Sequence, residues 1–195
     1  MPRSGEDARR RLQQAALELF GERGYEATTT AGIAAKAGVT ERTFFRHFPD
    51  KREVLFDGED AFRTALSDGV LAAPEDVNPM AALLCGFRAV ERVLEDNRSF
   101  SGPREAVIAQ TPALQERMRT KTAGLINALS EALRRRGVEK GVATLAAQVG
   151  MAAFAFAASA WSENPTPGLD AHLTRAFDDL HDLSSTIGKS DLNGG

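Results

Sequence analysis

The segment Gly24–Lys51 reads GYEATTTAGIAAKAGVTERTFFRHFPDK and carries the signals for two short helices joined by a tight turn. Thr29 is a suitable N-cap for the first helix, because its hydroxyl can accept a hydrogen bond from a free amide at the helix start. Gly38 predicts the end of that helix, since glycine readily adopts the left-handed conformation needed there. Thr40 can cap a second helix over Glu41–His47. Two helices linked by a short turn containing glycine are typical of a helix-turn-helix.

The apolar residues of this segment predict which side of each helix faces inward. Ile33, Ala34 and Ala37 share one face of the first helix, and Phe44 and Phe48 lie four residues apart in the second. The other faces of the second helix are then free to enter a major groove of DNA. We assign base contacts to Arg42, Thr43 and Phe45, and phosphate contacts mainly to Thr29, Thr30, Thr40, Arg46, His47 and Lys51.

The same segment resembles the DNA-binding domain of the tetracycline-repressor (TetR) family of bacterial transcriptional regulators. The shared pattern is GYxxxTTxxIAxxAGVTxxTxFxHFxxK, with fixed spacing throughout. Many family members have two tyrosines where this chain has Phe45 and Arg46, so contacts made by those tyrosine hydroxyls cannot be transferred. Arg46 could bind a phosphate instead, and Phe45 could touch a thymine methyl group.

A homodimer is expected from the geometry of recognition. One short helix reads few base pairs, whereas a two-fold dimer presents two such helices to a palindromic operator. The resemblance implies that the dimer forms through the last two long helices, and that a small molecule entering the body changes the affinity for DNA. Most members of this family are repressors, so the resemblance also implies that this protein is a repressor.

Charge is distributed unevenly along the chain. The first 52 residues contain ten basic and seven acidic residues, a net charge of +3, and the total of −3 leaves −6 for the remainder. A basic head on an acidic body suits a DNA-binding protein. There is one cysteine, Cys85, which excludes an internal disulfide and is expected to be a buried apolar residue. The absence of an apolar N-terminal segment predicts a cytoplasmic protein.

Helical periodicity without strand-like alternation predicts an all-α fold of about nine helices. A DNA-binding domain is expected over residues 1–52 and a ligand-binding and dimerisation domain over 53–195. Asp50 and Glu53 resemble a capping box, so a connecting helix is expected over 50–70. The helices of the body are predicted near residues 79–96, 103–110, 112–136, 142–161 and 169–183. The polar tail 184–195 is predicted to be disordered.

The segment 142–161 has no charged residue over a length that could span a membrane. Nine of its positions are alanine, and few large apolar residues are present. Small residues allow helices to approach closely, so we favour a buried helix at a subunit interface and expect no membrane contact.

The apolar residues of the body predict a pocket for a small hydrophobic or aromatic effector. The candidate lining residues are Phe87, Ile108, Met118, Leu125, Phe154, Phe156 and Trp161, each of which could equally be an ordinary core residue. The stretch Ala109–Leu114 resembles the C-terminal domain found in regulators such as the mycofactocin regulator, some of which respond to acyl-coenzyme A. An acyl-CoA is therefore one candidate effector.

Two other functional classes compete with a ligand-responsive regulator. An architectural DNA-binding protein would have the same head without a cavity for an effector. An enzyme is disfavoured, because His47, His172 and His181 have no matching carboxylates or cysteines for a metal site or a catalytic triad. No catalytic residue, cofactor or metal is predicted.

Overall fold

The computed structural model describes the backbone of residues 3–190 and the side chains of residues 5–185. Within that range the chain is helical and contains no strand, which confirms the predicted all-α fold. The α-helices are α1 (Arg3–Arg23), α2 (Thr30–Lys36), α3 (Glu41–His47), α4 (Glu59–Leu71), α5 (Pro79–Ala89), α6 (Glu91–Asp96), α7 (Arg98–Ala109), α8 (Pro112–Arg135), α9 (Lys140–Glu163) and α10 (Leu169–Ser190). A 3-10 turn, Glu53–Leu55, lies between α3 and α4.

Backbone contacts divide the chain into two compact units. The first contains Met1–Glu59 and Ser99–Lys121, and the second contains Asp60–Arg98 and Thr122–Gly195. The first unit therefore includes α7 and the first turns of α8, whereas the sequence analysis placed residues 99–121 in the body. Helical periodicity locates a buried face without identifying the core that buries it, which is why this grouping is visible only in three dimensions.

The ends of α2 and α3 form as the sequence predicts. The Gly32 amide donates to Thr29 Oγ1 over 3.0 Å, and the Thr43 amide donates to Thr40 Oγ1 over 3.2 Å. Gly38, in the turn between the helices, has a φ of +68°. A residue with a side chain would be strained there, so this glycine permits the tight turn.

Phe44 and Phe48 anchor α3 in the core of the first unit. Their relative exposures are 0% and 2%, and they pack among the fully buried Leu12 of α1 and Ile33 of α2. The predicted inward faces of both short helices are therefore confirmed. Burying two phenylalanine side chains contributes roughly 3–6 kcal/mol of hydrophobic free energy, which fixes the orientation of a helix too short to be stable alone.

Lys51 stabilises the turn that precedes α2. Its ammonium group donates hydrogen bonds to the carbonyl oxygens of Tyr25 and Thr28 over 2.8 and 3.1 Å, and lies 4.1 Å from the centroid of the Tyr25 ring. The Thr28 hydroxyl donates to the Gly24 carbonyl over 2.8 Å. Lys51 thus connects the end of the helix-turn-helix to its beginning.

The connecting helix begins later than residue 50. Asp50 does accept hydrogen bonds from the amides of Arg52 and Glu53, over 2.7 and 3.2 Å, but these donors lead only into the 3-10 turn. Gly58 then has a φ of +76°, which interrupts helical geometry before α4 starts at Glu59. The predicted helix over 50–70 is therefore wrong in its first nine residues, because the cap was interpreted without the glycine that follows.

Three other boundaries differ from the sequence-based expectations. The predicted helix over 79–96 ends at Ala89 and restarts as α6 after Val90, which is fully buried. Helix α7 begins at Arg98 instead of Pro103, so that Pro103 lies inside the helix. The tail predicted to be disordered from Ser184 remains helical to Ser190, and residues 191–195 lie outside the described range.

Two glycines allow α4 and α5 to touch in the second unit. A Cβ atom on Gly86 would lie 2.7 Å from Val70 Cγ2 and 2.9 Å from the Leu66 carbonyl oxygen, and one on Gly69 would lie 2.9 Å from Gly86 Cα. Because backbone lies directly opposite, neither position has room for a side chain. Beside this crossing, Phe87 of α5 stacks on Phe154 of α9 with ring centroids 4.6 Å apart.

Helix α9 presents two different faces. Its small residues Ala143, Ala147 and Gly150 are buried in the core of the second unit. By length and composition α9 could also cross a membrane, but 39% of its most apolar stretch of 18 residues is buried inside the structure. Burial of the small side chains agrees with close packing between helices.

The substitution Gly86→Ala is expected to destabilise the second unit by about 1–3 kcal/mol, because the added methyl group overlaps backbone atoms of α4. Gly124→Ala is a matched control within α8, where a Cβ meets no atom within 4 Å. It should stabilise the protein by about 0.5–1 kcal/mol. Urea unfolding followed by circular dichroism measures both changes, and equal effects of the two substitutions would contradict the close crossing.

The substitution Lys51→Met is expected to destabilise the turn before α2 by about 2 kcal/mol, because two backbone carbonyls lose a charged donor. Lys36→Met is the control, since Lys36 makes only surface ion pairs with Glu18 and Glu22. Its removal should change stability much less than that of Lys51, because exposed ion pairs are screened by solvent. Amide hydrogen exchange over residues 28–37 reports the difference, and unchanged protection in Lys51→Met would refute this role.

Candidate nucleic-acid interface

The outward face of α3 carries two exposed arginines and an exposed aromatic ring. Phe45 is 53% exposed, and Arg42 and Arg46 are also exposed. Neither guanidinium makes an ion pair or a hydrogen bond within the part of the chain that the structure describes. Since unpaired guanidinium groups retain all of their donors, this face can hydrogen-bond to base edges and to phosphates.

The threonines near α3 have different partners. Thr29 accepts a hydrogen bond as an N-cap, and its own hydroxyl proton remains available for a phosphate. Thr30 donates its proton to Glu41 Oε1 over 2.6 Å, which links the start of α2 to the start of α3. The hydroxyl groups of Thr40 and Thr43 are 3.0 Å apart and share a hydrogen bond. The Thr30 hydroxyl thus has an intramolecular partner, Glu41, which the sequence pattern did not predict.

Two of the candidate phosphate ligands point into the protein. The Lys51 ammonium is held by the carbonyls of Tyr25 and Thr28, and the amides that follow it donate to Asp50. The helix start expected at residue 50 is therefore absent. His47 Nε2 is buried without a partner in the described part of the chain. Burial, followed by the charges of Arg46 and Arg9, lowers the pKa of His47, so its neutral form is favoured.

Arg9 of α1 also has an intramolecular role. Its guanidinium pairs with Asp57 and lies 5.5 Å from the centroid of the Phe48 ring. Gln13 donates to the same carboxylate over 3.1 Å. Asp57 therefore ties α1 to the segment that follows α3, a contact between residues 48 positions apart that no local sequence pattern reveals.

The seven candidate pocket residues are divided between two cores and the surface. Ile108 and Met118 belong to the core of the first unit. The core of the second unit contains Phe87, Leu125, Phe154 and Trp161. Phe156 is 65% exposed on α9 and lines no interior. Helical spacing does not distinguish residues that face different cores, and one shared pocket for these residues stays a prediction.

A groove of about 590 Å³ lies within the first unit. Its walls are the end of α1, the following turn over residues 24–27, and the junction of α7 with α8. Phe20, Tyr25 and Val107 contribute apolar surface, while Arg23 and Gln110 contribute polar groups. None of the seven predicted pocket residues contributes to this groove.

Comparison with known proteins identifies two matching families. Residues 12–57 match the family of bacterial regulatory proteins named tetR, and residues 77–184 match the MftR C-terminal domain. The second match alone covers more than half of the chain. Together the two matches include α2 and α3 and the helices α5 to α9, whereas α4 lies between them.

Individual relatives agree with these families. The HTH-type transcriptional regulator TcmR of Streptomyces glaucescens is 38% identical over 127 residues, which are 65% of this chain and 53% of TcmR. The chain thus spans about half the length of TcmR. The putative mycofactocin biosynthesis transcriptional regulator MftR of Mycobacterium tuberculosis is 27% identical over 188 residues, covering 91% of this chain and 94% of MftR.

Among solved structures, that of SmeT in complex with triclosan has the same fold. Its TM-score is 0.62 at 22% sequence identity, and the match covers 88% of each chain. At this identity the similarity establishes the fold alone. The two family matches establish membership: this chain belongs to the TetR family of bacterial regulatory proteins, with a C-terminal domain of the MftR type.

Proposed function

We propose that this protein is a homodimeric, DNA-binding transcriptional regulator, a repressor that a small hydrophobic ligand releases from a palindromic operator. The observation that carries the proposal is the outward face of α3, where Arg42, Phe45 and Arg46 are exposed on a helix anchored by Phe44 and Phe48. Membership of a family of regulators sets the enzyme alternative aside. Its place of action would be the cytoplasm, where the chromosome is accessible.

Specific recognition requires both fixed geometry and exposed donors. The buried phenylalanines supply the first, because they prevent α3 from rotating about its axis. Arg42, in the first turn of α3, would bind a guanine edge through two parallel hydrogen bonds. Arg46 lies one turn further along the helix and would bind a phosphate, which positions the protein without reading sequence.

The exposed side of α9 supports a dimer through the last two long helices. Val142, Leu145 and Phe156 are 50%, 62% and 65% exposed, respectively. With Val149 and Ala152 they follow alternating spacings of three and four residues, the pattern that buries a stripe between helices. Leu183 of α10 is 69% exposed as well. A second copy of the chain would cover these apolar groups.

A hydrophobic or aromatic effector is supported by analogy and by composition. SmeT, which shares the fold, has been solved in complex with triclosan. In the present chain, the aromatic cluster of Phe87, Phe154 and Phe177 lies in the core of the second unit, where an apolar ligand could bind after a rearrangement of the side chains. An acyl-CoA remains the second candidate. To act, either ligand must bind the conformation with low DNA affinity more tightly than the other.

Fluorescence anisotropy tests the function directly. The full chain is titrated into a labelled duplex from the region upstream of its own gene and into a scrambled duplex, with and without lauroyl-CoA or triclosan. Selective binding that either compound weakens supports a ligand-released repressor. Selective binding that neither compound affects favours the architectural alternative. Equal binding to the upstream duplex, to the scrambled duplex and to genomic fragments selected for binding contradicts specific regulation.

The substitution Arg42→Ala is expected to relax specificity at one base pair, at a cost of about 1–3 kcal/mol on the operator. Arg46→Ala removes the same charge from the same helix and serves as the matched comparison. It should weaken operator and random DNA alike and reduce the slope of log K against log salt by about one. Anisotropy measurements on the operator and on its single-base variants distinguish the two roles. Uniform losses of affinity in both protein variants would show that the roles are wrongly assigned.

The substitution Phe156→Glu is expected to dissociate the dimer, because it places a charge within the apolar stripe of α9. Light scattering should give twice 21.0 kDa for the wild type and 21.0 kDa for the variant at micromolar concentration. Asn127→Glu, at an exposed position of α8, is the control and should remain dimeric. A monomeric wild type would rule out this seam.

A further inference from the structure

The groove beside the C-terminal end of α1 has the dimensions of a small-molecule site. Its volume of about 590 Å³ falls within the range of roughly 300–1,000 Å³ that ligand pockets occupy. All of its walls belong to the first unit, and the surfaces proposed above for DNA and for the dimer use none of its residues. The function proposed so far therefore leaves this groove without a role.

Two aromatic rings form the apolar wall at the end of α1 and the turn that follows it. The ring centroids of Phe20 and Tyr25 lie 5.2 Å apart with 48° between the ring planes, and the two residues are only 3% and 8% exposed. The junction of α7 with α8 adds Val107 and two prolines, Pro103 and Pro112. Proline rings are rigid, so this side of the groove loses little freedom when a ligand binds. Because aromatic rings attract the edge or the offset face of another ring, the wall favours a flat aromatic occupant.

The Tyr25 hydroxyl is a donor without a partner. Every hydrogen bond of Tyr25 in the described part of the chain involves its backbone carbonyl oxygen. Among the described residues, His47 Nε2 is the sole fully buried side-chain nitrogen or oxygen atom that lacks a partner, so the phenolic oxygen of Tyr25 is still accessible. Burial, followed by the charge of Asp50, raises the pKa of Tyr25 to about 12, so the hydroxyl keeps its proton at pH 7. Since the hydroxyl of a buried tyrosine normally has a hydrogen-bond partner, an oxygen atom of a ligand would supply the missing one.

The charges that border the groove balance each other. Arg23 and Glu26 are both exposed, and neither makes an ion pair or a hydrogen bond within the described residues. An anionic ligand would be attracted by Arg23 and repelled by Glu26, and the reverse holds for a cation. The side chain of Gln110, which also makes no hydrogen bond in that range, offers both donors and an acceptor. The walls therefore favour a neutral molecule with a polar group over an ion.

We propose that this groove binds a neutral aromatic molecule that carries a hydroxyl or carbonyl group. The aromatic body would lie against Phe20, Tyr25 and Val107, and its oxygen atom would accept a hydrogen bond from the Tyr25 hydroxyl. The site belongs to the first unit, whereas the aromatic core proposed for the effector belongs to the second, so neither proposal depends on the other. Because Lys51 holds the Tyr25 carbonyl in the turn before α2, an occupant in contact with Tyr25 would also protect that turn from opening.

Equilibrium dialysis of the full chain without DNA tests the site with 2-naphthol, a neutral alcohol with two fused rings, as the probe. Saturable binding of one molecule per chain is expected at pH 7. The anionic analogue 2-naphthoate should bind at least about tenfold more weakly, because its carboxylate must be desolvated next to Glu26. Absence of saturation with 2-naphthol, or an affinity for 2-naphthoate that equals or exceeds that for 2-naphthol, would overturn the proposal.

Two substitutions test whether the probe occupies the groove. Tyr25→Phe removes only the hydroxyl and should weaken binding of 2-naphthol about three- to tenfold. Ala106→Phe fills the groove from an exposed position of α7 and should abolish saturable binding. Ala109→Phe is the matched control, because it places the same ring on the same helix at a residue that does not line the groove, and it should leave the affinity unchanged. Equal effects of the two alanine substitutions would contradict binding in this groove.

Amide hydrogen exchange of the wild type covers the case in which a variant does not fold. Saturating 2-naphthol should slow exchange over residues 24–28 and 106–112 and leave residues 143–157 unchanged. Protection confined to residues 143–157 would place the probe in the second unit and would overturn the site. The binding and exchange measurements contain no DNA, so failure of this site is distinguishable from failure of the proposed regulator, which the anisotropy titration detects.

Discussion

The burial of Phe44 and Phe48 is the constraint on which the surface proposed to bind DNA depends. Helix α3 has only seven residues, too few to be stable alone, so its orientation comes from packing. Phe44 and Phe48 fix both its position and its rotation by inserting next to α1 and α2. The exposure of Arg42, Phe45 and Arg46 follows from that orientation, because they occupy the other faces of the same helix.

Polar contacts then hold the surrounding segments in place. Lys51 closes the turn before α2, the Thr30 hydroxyl joins α2 to Glu41, and Asp57 receives Arg9 from α1. Several residues whose side chains are chemically suited to contact DNA therefore make contacts inside the protein instead. Since a charged group loses much of its availability once a partner desolvates it, these residues serve to hold the shape of the first unit.

Helix α9 shows how one helix can serve two purposes. The small residues Ala143, Ala147 and Gly150 are buried against neighbouring helices. Gly150 lies so close to Leu83 that a Cβ would approach Leu83 Cδ1 to 2.8 Å. The larger Val142, Leu145 and Phe156 project from the opposite side. Small residues thus pack the interior of the second unit, while the exposed apolar residues form the surface proposed for the dimer.

The sequence by itself determined the all-α fold, the caps at Thr29 and Thr40, and the inward faces of α2 and α3. These features depend on residues three or four positions apart, which a local pattern records. The tertiary structure decided that α7 packs with the head, that Phe156 faces outward, and that Lys51 and His47 point inward. The reason is physical: burial and ion pairing depend on residues distant in the chain, and helical periodicity contains no information about which core a face meets.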